Sequence, residues 1–331
     1  MKTMKWLLRR EFWENKGSMF WAPLIVALVM LTFIGGTVAY GAATHGIHFG
    51  DSVVINGHEM SKGDALNALP LEQRAEIANV VANSYLAASA PLFGVLPVVV
   101  FFYCLAALYD DRRDRSILFW KSLPVSDQMT VLSKVVTALC VAPMITIAIG
   151  TAVSLLMLFI ALAAVASTGL NLFGLVLGNP AFYLAPFRLV GLLPVYVLWA
   201  IPTVGWLLMV SAWARSKVFL WAVGVPLLLA ALAKWANFIV VQYMGGGFDV
   251  KWFVNSVIMR GLVGLIPGAW LSSANTSREI VGNRPLHGVD AGQIFSASWN
   301  TLLQPNVWIG VVIGGAMIFA AMRLRRWRDE G

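Results

Sequence analysis

Charge and cysteine are what this 331-residue chain has least of. Charged residues make up 12% of it, and only two cysteines occur, Cys104 and Cys140. Two cysteines cannot build the multi-bridge framework of a small secreted domain, and both read as small buried apolar side chains. No Asp or Glu interrupts a long apolar run. Ion-driven carriers often keep an acidic group near the bilayer midplane, where it is emptied and filled, so that reading loses its usual support, although helix-end carbonyls can also hold sodium. The chain has no GxxxxGK[ST] loop and no Gly-Lys dipeptide at all, so it lacks the usual phosphate cradle. HExxH and GxSxG are missing too; the nearest string, "GHEMSK", has one histidine only. His45, His48 and His58 with Asp51 and Glu59 show no metal-ligand spacing. Neither a catalytic residue nor a cofactor or metal is therefore expected in this chain.

What is present is apolar. Hydrophobic residues reach 59% and the mean hydropathy is +0.76. An uncharged run of about 20 residues is long enough to cross the hydrocarbon core as a helix. Six spans are expected, over about 19–40, 91–109, 135–161, 189–214, 218–240 and 305–322, the fifth carrying Lys234 near its outer end, where it can snorkel. The expected fold is an all-α polytopic membrane protein with one transmembrane domain over 1–331, since no hydrophilic region is long enough for a typical soluble domain.

Residues 1–18 read as an interfacial helix, too charged to be a cleaved secretion signal. Met4, Leu7, Leu8 and Phe12 share one face with Glu11, while Trp6 and Trp13 point the other way. The segment 41–90 is a polar insert. Within it "VVINGHEM" suggests a hairpin turning at Asn56-Gly57, and a helix opens at Pro70. The loop 243–304 contains an apolar stretch, 252–271, that could pass as a seventh span. Arg260 would then sit near the bilayer centre at a cost of about 3 kcal/mol. It reads instead as a re-entrant or interfacial hairpin broken near Gly261, Gly264 and Pro267.

Most of the 24 basic residues cluster before the first span, between the second and third, between the fourth and fifth, and after the last. This places both termini in the cytoplasm, with the 41–90 and 243–304 segments outside. The net charge of +8 is spread over short clusters at span ends rather than along one hydrophilic face, which argues against a nucleic-acid partner.

The largest cytoplasmic loop, 110–134, carries "DDRRDRSILFWKSLPVSD". A helix is expected over 111–123. Asp110, Asp111 and Asp114 suit its N-terminus and Pro124 stops it. Ile117, Leu118, Phe119, Trp120 and Leu123 are too apolar for a solvated linker. Such a helix either fills a cleft in a soluble partner or lies on lipid headgroups. Ser126 and Asp127 then cap the helix that carries Lys134 into the membrane.

This stretch resembles the cytoplasmic loop of type-2 ABC (ATP-binding cassette) exporter permeases, in which an acidic and Arg-rich start, a small residue and a Leu-rich helix end in Ser-Leu-Pro. The likeness is close over these residues and architectural over nearly the whole chain. Glycine is common at the small position where this chain has Ser116, and the 41–90 insert is larger than in compact members. The resemblance implies a multi-pass permease subunit in a bacterial inner membrane, surrounded by lipid and paired with a second copy or a paralogue. ATP and magnesium would be bound by separate cytoplasmic ATPase subunits. The helix 111–123 would be the coupling helix, with Asp111, Arg112, Arg113, Asp114, Arg115, Ser116, Phe119, Trp120, Lys121, Leu123 and Pro124 at the ATPase interface. Residues 2–16 would be the connecting helix along the inner leaflet.

Gly310 with Gly314, and Ala316 with Ala320, offer a small-residue face in the last span for dimerisation. The function expected is export of an amphipathic, lipid-like, drug or peptide cargo. The alternatives are a membrane scaffold that docks a cytoplasmic partner without transport, and an ion-coupled carrier.

Overall fold

The structure, a computed structural model, describes residues 2–44, 53–55, 58–60, 70–113, 126–167, 171–244, 249–250, 254, 258, 260–273 and 291–327. Among these, six helical stretches are long and apolar enough to cross a membrane. They are Gly17–Gly41, Leu71–Arg113, Asp127–Ser167, Pro180–Trp213, Leu220–Tyr243 and Pro305–Arg326, matching the six expected spans in number and order.

Helix α1 (Lys2–Glu14) precedes a π turn (Gly17–Trp21) and helix α2 (Ala22–Thr44). The expected faces of α1 are realised: Leu7 and Glu11 are buried, while Trp6 and Trp13 are exposed. Strands β1 (Val53–Ile55) and β2 (His58–Met60) pair antiparallel, with Ile55 opposite His58, the register that a turn at Asn56-Gly57 requires.

Helix α3 (Leu71–Ser84) runs through a 3-10 turn (Tyr85–Ser89) into α4 (Ala90–Arg113). The helix expected to open at Pro70 is present and runs on into the second span, so the helical rod begins twenty residues before the expected span start at 91. The extension has a partner. Ala78, Ala82 and Tyr85 of the rod pack with Leu158, Leu162 and Phe182, and the Tyr85 hydroxyl donates to the Phe182 carbonyl at 3.2 Å.

Helix α5 (Asp127–Val136) starts as its sequence suggests, with the Ser126 hydroxyl accepting from the Met129 N–H. A π turn (Thr137–Val141) joins it to α6 (Ala142–Ser167). A short helix α7 (Phe173–Leu177) leads to α8 (Pro180–Gly191), where the Asn179 side chain accepts from the Ala181 N–H and Pro180 opens the first turn. The rod is interrupted at Leu192, two residues before Pro194, and resumes as α9 (Leu193–Trp213).

Helix α9 is the axis of the bundle. It contributes Tyr196, Trp199, Val204, Leu207 and Leu208 to the largest buried cluster. After it come a π turn (Leu220–Gly224) and helix α10 (Val225–Met244), whose apolar stretch has no buried residue.

The 252–271 stretch does not make a continuous helix. Helix α11 (Arg260–Val263) ends in a turn through Gly268, at φ +84°, and helix α12 (Ala269–Ser273) follows. Only glycine enters that left-handed region at no steric cost. The break spans Gly264–Gly268 and so includes two of the expected positions, Gly264 and Pro267, whereas Gly261 lies inside α11. Helix α13 (Ala291–Asn300), a 3-10 turn (Thr301–Leu303) and helix α14 (Pro305–Trp327) complete the chain.

Helices α9 and α14 approach at their glycines. A Cβ on Gly205 would stand 2.5 Å from the Gly314 carbonyl oxygen, and one on Gly314 would stand 2.6 Å from Ile201 Cγ2. A Cβ on Gly310 would meet the Arg260 guanidinium at 2.8 Å. The Gly310/Gly314 face, expected to meet a second copy, is therefore taken up inside this chain. The backbone-to-backbone approach that glycine permits is used to seat the last helix on α9.

Candidate functional site

The end of the bundle that carries both terminal helices is held by a buried string of alternating charges. On α1, Glu11 shares the apolar face with Leu7 and is almost fully buried. The Tyr103 hydroxyl of α4 donates to Glu11 Oε2 at 2.8 Å. Lys134, in the last turn of α5, places Nζ 3.1 Å from Glu11 Oε1 and 3.5 Å from Asp111 Oδ2. Arg325, near the end of α14, then places one terminal nitrogen 3.1 Å from the same Asp111 oxygen and Nε 3.3 Å from Asp127 Oδ1.

Three carboxylates and two cations thus alternate across four helices. Removing charges from water is costly, and such a set persists only where each member has an opposite neighbour. Lys134 and Arg325 side chains are each 4% exposed, so salt screens these contacts far less than it screens surface pairs.

A second fastening joins α4 to α9. Arg112 donates to the carbonyls of Ser211 and Ala214, two of the acceptors left over at the C-terminal end of α9. The Ser211 hydroxyl donates to the Leu105 carbonyl at 2.7 Å and accepts from the N–H groups of Leu108 and Tyr109. This is a further close contact between the two helices, made through a small polar residue.

These placements alter the expected roles of two residues. Asp111 and Arg112 were expected to begin a separate helix and face a partner. Instead α4 continues to Arg113, and both side chains turn inward to bind the chain's own helices. Arg113 is exposed. Asp114, Arg115, Ser116, Phe119, Trp120, Lys121, Leu123 and Pro124 lie outside the described residues.

Glu11, Lys134, Asp127 and Arg325 were not read as one site from the sequence. The signal was local and weak: an acid on the apolar face of α1 and a lone lysine at the start of an apolar run.

At the other end, Arg260 has no carboxylate partner among the described residues. Its guanidinium lies 4.3 Å from the Trp199 ring centroid and donates to the carbonyls of Asn306 and Val307. Its own carbonyl accepts from Thr203 Oγ1 at 3.0 Å, halfway along α9. The Trp270 indole donates to Ser298 Oγ at 2.8 Å, fastening α12 to α13. The broken segment is thus fastened to the middle of α9 through the Arg260 carbonyl and the Thr203 hydroxyl.

The described part of the chain is that of an almost wholly helical protein with six helices able to span a membrane. No protein-family model, curated protein or solved structure matches it.

Proposed function

We propose that this chain is the membrane-spanning subunit of an ATP-driven exporter. ATP and its magnesium are bound by separate ATPase subunits in the cytoplasm, and a second copy or a paralogue completes the pathway. The cargo is amphipathic: a lipid-like molecule, a drug or a peptide.

The observation that carries the reading is how the loop 114–125 is bracketed. Asp111 enters it, Asp127 leaves it, and both are held by Arg325. Through Lys134 the same cluster reaches Glu11 on α1. Closure of two ATPase subunits on ATP is a rigid-body motion, and such motion is passed on only by something stiff attached directly to the spans. Here a displacement of the loop is felt at once by α1, α4, α5 and α14. Phe119 or Trp120 serves as the aromatic anchor in the ATPase cleft, and the charges around it set register. Held to this end, α1 is the connecting helix.

The test is to express the chain with a cytoplasmic ABC ATPase and purify through a tag on the chain. The reading expects a stable complex whose ATP hydrolysis responds to amphipathic compounds. A scaffold would hold its partner with no such response, and efflux that persists with no ATPase present would indicate an ion-coupled carrier.

A further inference from the structure

Away from the charged end, a cavity of about 580 Å³ opens between α4, α6, α8, α9, the turn before α12, and α13. Its wall is apolar, with Leu86, Phe93, Ile147, Leu189, Tyr196 and Phe295 among the residues that form it. The Tyr196 hydroxyl is buried and makes no hydrogen bond among the described residues. A volume of this size is in the range of sites that take a small ligand, roughly 300–1,000 Å³.

Among the described residues, one charged side chain lines the cavity. It is Arg188, in the last turn of α8. It lies beside a cluster of amides: Arg188 donates to Asn83 Oδ1 at 3.4 Å, Asn83 donates to Asn79, and Asn179 donates to Asn79 as well. No carboxylate meets Arg188 among the described residues. Glu76, the nearest acid along α3, stands about 10 Å of helix from Asn83. Along α8 and α9, Arg188 and Tyr196 are separated by about 12 Å, close to the depth of one hydrocarbon leaflet, about 15 Å.

We infer that this cavity binds an amphiphile with one negatively charged headgroup, its apolar body lying along α4 and α9 and its headgroup resting on Arg188. A cationic amphiphile finds no counter-charge there among the described residues, and a neutral one leaves the half-buried guanidinium unmatched. The apolar wall is the reason the ligand carries a chain or compact apolar body rather than being a free anion. Binding needs no ATPase, so it stands or falls apart from the transport reading.

The experiment uses the full chain alone, in discs of zwitterionic lipid. It is photolabelled with a single-chain sulfate carrying a diazirine in its tail, and in parallel with a quaternary ammonium of the same tail. The sulfate is expected to label peptides from 83–96 and 185–196 and the ammonium is not. Arg188→Ala lowers sulfate labelling about tenfold, the size expected for loss of a charge-assisted contact; Arg188→Lys keeps most of it. Gly94 lines the cavity with nothing within 4 Å of its would-be Cβ, so Gly94→Leu is expected to block the sulfate, with an unchanged melting temperature showing that the fold is kept. Equal labelling by both probes overturns the inference, as does undiminished labelling of Arg188→Ala. If labelling is displaced by an anionic diacyl lipid in the disc, the site is confirmed and its natural occupant comes from the bilayer. If the lipid does not displace it, the site is confirmed and the occupant is another amphiphile.

Discussion

Lys134 and Glu11 lie 123 residues apart in the chain, yet Lys134 Nζ sits 3.1 Å from Glu11 Oε1, with side-chain exposures of 4% and 1%. That contact ties the N-terminal helix to the third span. Removing one member leaves the other charged, buried and short of its partner. Glu11→Ala and Lys134→Ala are each expected to cost about 3–5 kcal/mol. The double variant Glu11→Leu with Lys134→Met is expected to recover much of that loss, because no orphaned charge remains. Thermal unfolding in detergent, compared across the three variants, checks this; additive losses would contradict it.

Arg325 separates holding the loop from holding the fold. It touches Asp111 with a terminal nitrogen and Asp127 with Nε, a span that uses separate in-plane donors of one guanidinium. Arg325→Lys keeps the charge but loses the fixed, separated donors that meet Asp111 and Asp127 at once. The expected outcome is a protein that still inserts and purifies, while the ATP hydrolysis of its partner no longer responds to cargo. ATPase assays on the purified complex, beside yield, provide the measurement.

The glycines of α14 give a matched pair. A Cβ on Gly314 would collide with α9, whereas one on the neighbouring Gly315 would meet nothing within 4 Å. Gly314→Ala is expected to lose about 1–3 kcal/mol through overpacking. Gly315→Ala should be neutral or slightly stabilising, since alanine is the better helix former. Oligomeric state should stay unchanged in both, because the Gly314 face is spent within the chain. A melting series with size measurements reads both effects.

Trp270 tests whether the broken segment is docked or loose. Trp270→Phe removes the indole N–H that reaches Ser298 and leaves most of the ring volume. A loss of about 1 kcal/mol is expected, with faster hydrogen exchange in 269–273 and 291–300. Unchanged exchange there would show that α12 and α13 do not rely on one another.

Much of this architecture is legible in the residues themselves. Uncharged runs reveal the six spans because a bilayer-length helix needs only composition and length. The β1–β2 register follows from Asn56-Gly57, and the turn at 264–268 from glycine and proline, because both are local backbone effects. The charged end was not legible. Glu11, Asp111, Asp127, Lys134 and Arg325 come from four helices, and no spacing rule connects residues that meet only once the bundle closes. Small-residue spacing in α14 pointed to a close helix contact, but spacing alone does not say whether the partner is another copy or α9 of the same chain.

The most direct test of the account is to purify the chain and its Trp120→Ala variant, expressed at equal levels with a cytoplasmic ABC ATPase, and to measure the ATPase retained and its hydrolysis rate. The account predicts that the variant reaches the membrane in normal amount but loses the ATPase, or keeps it without response to cargo. Full retention with an unchanged, cargo-responsive rate would contradict the claim that force enters through the 114–125 segment.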